Sequence, residues 1–117
     1  MRDRRITDSE RLNHILAAIS AIAEFTGESS RNDFLGDRKT IDATLFQFAV
    51  IGEAIIHVSE EILDKYDFPW YKVRALRNFI LHEYHAIEDT VIWETINKDL
   101  PRLKQIITLI LKNEFNI

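Results

Sequence analysis

The sequence predicts an all-α protein, an up-and-down helical bundle. Apolar residues recur at helical spacing through four segments, Gly27 and the Tyr66-Asp67-Phe68-Pro69-Trp70 break punctuate them, and no segment alternates with period two or repeats internally. The first helix starts where Thr7, Asp8 and Ser9 offer N-cap oxygens. Ile15, Leu16, Ile19, Ile22, Ala23 and Phe25 then fall on one pattern until Gly27 ends it. Residues 28–38 are polar with one further glycine, and Phe34-Leu35 are expected to pin this connection to the core as a short helical turn.

The longest helix is expected over residues 40–64. Ile41, Leu45, Phe48, Ala49, Ile55, Ile56, Ile62 and Leu63 spread over more than half of its circumference, so it is central or touches another subunit. Within it, Gly52 costs about 1 kcal/mol of helix propensity, which close approach of a second helix would explain. The candidate partners of Glu53 are Arg74 and Arg77; a carboxylate reaching solvent from the helix edge is the alternative. His57 reads as an ordinary helix-surface histidine.

Asp67 can cap the third helix, and Pro69 suits its first turn while disfavouring helical geometry at Phe68. This helix frays around His85-Ala86. Glu88 and Asp89 then favour the start of a fourth, which runs from Val91 to Leu111 with Pro101 predicting a kink or short break.

With 117 residues, the chain is one domain large enough for a real core, yet small enough that a partner subunit would help to cover apolar surface. No apolar run approaches the roughly 18 residues of a membrane span, so no membrane association is expected. Met1-Arg2-Asp3-Arg4-Arg5 is followed by polar residues rather than an apolar signal core, which points to a cytoplasmic protein. The absence of Cys excludes disulfides, thiolate metal sites and cysteine nucleophiles. A formal charge of −4 supplies no global field for a polyanion, so nucleic acid would have to be gripped locally.

Function is expected in Arg77-Asn78-Phe79-Ile80-Leu81-His82-Glu83-Tyr84, which brings a permanent cation, an imidazole and a phenol together. On a straight helix Arg77 and Tyr84 lie within ~20° of each other, whereas His82 lies ~140° from Arg77 on the line of Asn78. Arg74 and His85 fall between them. Val73, Leu76, Phe79, Ile80 and Ile87 form the expected core stripe on the other side. Arg74, Asn78 and Glu53 are the supporting candidates. Lys and Glu usually fill a solvated face, and this arc is richer in functional groups.

His82 and His85 at i,i+3 could suggest a metal, but with no Cys and with mostly Arg nearby a divalent cation would find a poor site. No Gly-rich elbow frames a Ser or Thr nucleophile. Arg with His can cleave an RNA phosphodiester without a metal or cofactor. The guanidinium holds the phosphate, while imidazole takes the 2′-hydroxyl proton or protonates the leaving oxygen.

Arg77-x4-His82-x-Tyr84, with Ile51-Gly52-Glu53-Ala54, Pro69-Trp70, Val91-Ile92-Trp93 and Asp99-Leu100-Pro101, resembles the HepT-like toxins of the HEPN superfamily over residues 34–103. The resemblance implies a bundle of four to five helices that forms a homodimer, with the motifs of two subunits facing across a cleft. It implies a metal-independent ribonuclease toxin acting on RNA, with Arg77 and His82 as the catalytic pair. It further implies a minimal nucleotidyltransferase antitoxin as partner, able to add AMP to Tyr84. The alternative is a HEPN-fold adaptor that pairs with a nucleotidyltransferase without catalysis. A purely structural bundle would leave the Arg/His/Tyr arc unexplained.

Overall fold

The first helix, α1 (Asp8–Thr26), opens with a reciprocal cap: the Glu10 N–H donates to Thr7 Oγ1 at 3.2 Å and the Thr7 N–H donates to Glu10 Oε1 at 3.5 Å. It ends at Gly27, whose φ of 49° suits a residue without Cβ. The computed structural model describes residues 7–117, so the charged segment behind the cytoplasmic expectation lies outside the described residues. Among those residues all regular structure is helical, and no helix is long and apolar enough to cross a membrane.

The connection forms α2 (Arg31–Leu35), capped by Ser30, with Phe34 buried against Trp93 at a ring separation of 5.2 Å. Next comes α3 (Arg38–Ile56), started by Asp37, whose side chain accepts from the Thr40 N–H at 3.1 Å. The Thr40 hydroxyl and N–H both hold the Asp37 carboxyl below its ordinary pKa. This helix packs against α1 on one side and α5 (Trp70–Glu83) on the other, which makes it the central rod.

The expected helix over residues 40–64 is not continuous. After Ile56 the His57 and Val58 N–H groups donate to Ala54 and Ile55 at 3.1 Å, three residues back, so the last turn tightens and stops. Val58 is buried, the Ser59 N–H donates to Asp8 Oδ1 at 3.4 Å, and a separate α4 (Glu60–Leu63) begins with two acidic residues. Ile62 and Leu63 therefore belong to another element. The apolar circumference of α3 is narrower than the uninterrupted pattern implies.

Trp70 ties down the next turn by donating from Nε1 to the carbonyls of Leu63 and Tyr66 at 3.0 and 3.2 Å. It opens α5 (Trp70–Glu83), with Pro69 rather than Asp67 in the N-cap position. A 3-10 turn, Tyr84–Ala86, ends this arm where fraying is expected. The last rod is α6 (Asp89–Glu94), a π turn (Thr95–Asp99) and α7 (Leu100–Phe115). The break expected from Pro101 thus falls just before it. A proline ring crowds the carbonyl four residues back, and the wider turn relieves this while the Thr95 and Asn97 side chains donate to Val91 and Trp93 at 2.8 Å. Four rods with two short insertions are compatible with a HEPN-like bundle.

At the crossing of α3 and α5, a Cβ built on Gly52 would sit 2.7 Å from the backbone nitrogen of Arg77 and 3.1 Å from Leu76 Cβ. The close helix approach expected from Gly52 is therefore present. Alanine in a helix interior normally gains about 1 kcal/mol over glycine, but here overlap with backbone forces the helices apart. Gly52→Ala is expected to lower unfolding free energy by about 1–3 kcal/mol in urea titration. A variant as stable as the parent would contradict this contact.

Candidate functional site

The site is built at this crossing. Gly52 lets the α5 backbone reach α3 at Arg77, and the next residue, Glu53, meets the guanidinium: Arg77 Nε and Glu53 Oε2 form an ion pair at 3.0 Å. Of the two expected partners, Arg77 takes the carboxylate. Arg74 does not, and its Nη2 is buried without a hydrogen-bond partner. The other Glu53 oxygen, Oε1, lies 3.1 Å from Nε2 of His57. His57 sits at the C-cap of α3 and extends this network.

The pairing is about orientation more than stability, since both side chains are close to half exposed and such pairs contribute about 0–1 kcal/mol. Anchoring Nε leaves the terminal edge of the fork for another anion. Among the described residues that edge has one weak contact, from Nη1 to Asn78 Oδ1 at 3.4 Å. Arg77, Asn78 and Glu53 are therefore brought together.

His82 is exposed and, among the described residues, forms no hydrogen bond or ion pair. The α-helix runs on through Glu83, so its ring keeps the divergent direction expected on a straight helix. Glu83 then leaves helical geometry, at φ −123° and ψ 15°, and the wheel angle linking Arg77 to Tyr84 stops applying there. Tyr84 is 53% exposed, with its ring 4.1 Å from that of His85.

The expected core stripe holds only in part. Val73 and Ile80 are buried and Leu76 and Ile87 are partly so, but Phe79 is 51% exposed. Periodicity places a residue on an azimuth. It does not supply a neighbour to cover it, and the described residues leave Phe79 half exposed.

A second group escapes the reading of α1 as an apolar stripe. Arg11 and His14 line a depression of about 290 Å³ together with Arg77, Glu53, Phe46 and Leu81. Their only signal in the sequence is a basic pair at i,i+3 flanking the buried Leu12. No three His, Asp or Glu side chains among the described residues cluster as metal ligands.

Comparison with known proteins identifies relatives of the chain. Residues 15–110 match the family described as "Ribonuclease HepT-like". The chain is 34% identical over 94 residues to a probable ribonuclease HepT of Thermococcus cleftensis, covering 80% of this chain and 86% of that one. It is 32% identical over 104 residues to a candidate RNase of Caldanaerobacter subterraneus subsp. tengcongensis, covering 88% and 93%. It is also 32% identical over 114 residues to a gamma-glutamylcyclotransferase and candidate RNase of Methanocaldococcus jannaschii; this takes in 91% of the chain but 51% of that longer protein, about half its length. No solved structure matches.

Glu53→Gln removes the charge that anchors Arg77 and little else. In proton–nitrogen correlation spectra the Arg77 Nε–H resonance is expected to move and broaden, with stability changed by less than ~1 kcal/mol. An unaltered resonance would show that Glu53 does not hold the guanidinium in solution.

Proposed function

This chain belongs to the HepT-like ribonuclease family, and we propose that it is a metal-independent endoribonuclease, the toxin of a toxin–antitoxin pair. The observation that carries this reading is the tethered Arg77. Glu53 occupies Nε and leaves the terminal guanidinium edge to take phosphate oxygens, with the exposed His82 five residues further along the same helix. The ribose 2′-oxygen attacks the adjacent phosphorus, the bond from phosphorus to the 5′-oxygen breaks, and the products are a 2′,3′-cyclic phosphate and a 5′-hydroxyl. His82 takes the 2′-hydroxyl proton or gives one to the leaving oxygen, while Arg77 balances the charge that develops on phosphorus.

The divergence of Arg77 and His82 within one chain supports a homodimer in which the motifs of two copies face each other. Phe79, exposed at 51% and outside the Arg77 depression, offers apolar surface for such an association. A minimal nucleotidyltransferase would act as antitoxin by transferring AMP to Tyr84. In that step the phenolic oxygen attacks the α-phosphorus of ATP, pyrophosphate leaves and the phenolic proton passes to solvent. The added phosphate would compete for Arg77 and the nucleoside would exclude RNA. Exposure of Tyr84 suits such modification.

RNA cleavage is expected to continue in EDTA, to fall about 10²–10⁴-fold in His82→Ala, and to be poor in Arg77→Lys, because a point charge does not reproduce the planar fork. Light scattering of the active protein is expected to give a dimer. Cleavage that stops in EDTA, or survives in His82→Ala, overturns the mechanism; a non-catalytic adaptor would show no cleavage at all.

Tyr84→Phe keeps the ring and removes the acceptor oxygen. It is expected to cleave RNA yet escape silencing by the nucleotidyltransferase and ATP, and mass spectrometry of the silenced parent should place AMP on Tyr84. A silenced parent with an unmodified Tyr84 would mean inhibition by binding alone.

A further inference from the structure

Around the Arg77 depression, the described side chains that can carry positive charge are Arg77, Arg11 and His14, and among the described residues the only carboxylate in its lining is Glu53. Each oxygen of that carboxylate already has a partner, Arg77 on one and His57 on the other. Arg11 does not pair with it. Its Nε is buried and, among the described residues, has no hydrogen-bond partner, so the Arg11 guanidinium is not committed to a carboxylate of its own chain. At the rim stands Phe46, an aromatic ring 66% exposed to solvent.

These features suit one kind of occupant. Single-stranded nucleic acid presents regularly spaced phosphates to cations and flat bases to aromatic rings, and phosphate contacts fix its register on a protein. A second copy of the chain seated on this depression would instead draw three basic side chains out of water with one committed carboxylate to balance them.

We propose that Arg11 binds a second phosphate of the RNA, next to the one held by Arg77 on the same strand, with Phe46 stacking a base between them. This inference rests on the ribonuclease reading above. Arg11 acts as a binding residue that sets where the strand lies; the bond-breaking chemistry stays with Arg77 and His82. A grip of this kind also lets a chain with net charge −4 hold a polyanion locally.

The test uses the full chain and a fluorescent single-stranded RNA carrying 2′-O-methyl groups, which binds without being cut. Its dissociation constant is measured by anisotropy over a salt series, beside cleavage of the unmodified strand. Arg11→Met, which keeps the packing stem, is expected to weaken binding roughly tenfold and to lower the slope of log affinity against log salt by about 0.7, the share of one single-strand phosphate contact. Phe46→Ala is expected to lose about tenfold with the slope unchanged, because stacking releases no counterions. Phe46 is exposed, so its variant carries the test even where Arg11→Met does not fold. If the parent cleaves RNA while Arg11→Met keeps the parental slope, or Phe46→Ala the parental affinity, the second-phosphate site is overturned. A variant that turns dimer into monomer with unchanged affinity per chain would overturn it too, by assigning the face to a subunit contact. A parent that neither binds nor cuts RNA removes the ribonuclease reading itself, a result distinct from these.

Discussion

The site depends on a contact where a Cβ would collide with the backbone of the neighbouring helix. Gly52 lets α5 approach α3 until the backbone nitrogen of Arg77 occupies the space that a Cβ would need. With the two helices this close, the residue after Gly52 can pair with Arg77 at its Nε, and the Arg77 side chain stays 44% exposed. The same closeness places Arg77 and Leu81 on the depression that α1 lines with Arg11 and His14. A wider crossing would leave the same residues on the same helices without a common site.

The packing of α5 shows how one helix serves both core and site. Trp70, Val73 and Ile80 are its buried residues, and the Trp70 indole is tied to two carbonyls of the preceding turn. These contacts hold its first turn and one narrow stripe. Arg77 and His82 on the rest of its surface, and Tyr84 in the turn that follows, are exposed. Burial thus fixes the helix axis, and the ion pair with Glu53 fixes the one side chain whose direction matters most.

Much of this could be read in the amino acids because local chemistry set it. The Thr7 cap, the stop at Gly27 and the Phe34 anchor follow from short-range signals, and the helix contact at Gly52 follows from the cost of a glycine in a helix. The break after Ile56 was hidden because Ile62 and Leu63 turn back to the same core, so the apolar period runs across a gap in the backbone. Phe79 was misplaced because a wheel records direction without showing whether anything lies opposite. The choice of Arg77 over Arg74 as the partner of Glu53, and the arrival of Arg11 beside them, are long-range outcomes of how three helices cross. No spacing along one helix encodes them.

The central claim is that Arg77 and His82 direct the substrate's own 2′-hydroxyl against its phosphate, and the chemistry of the cut ends tests it most directly. Mass spectrometry of RNA fragments digested in EDTA is predicted to find 2′,3′-cyclic phosphate on one fragment and 5′-hydroxyl on the next, with no cut where the 2′-oxygen is methylated. Fragments with 3′-hydroxyl and 5′-phosphate ends, or a cut beside a methylated 2′-oxygen, would contradict the account.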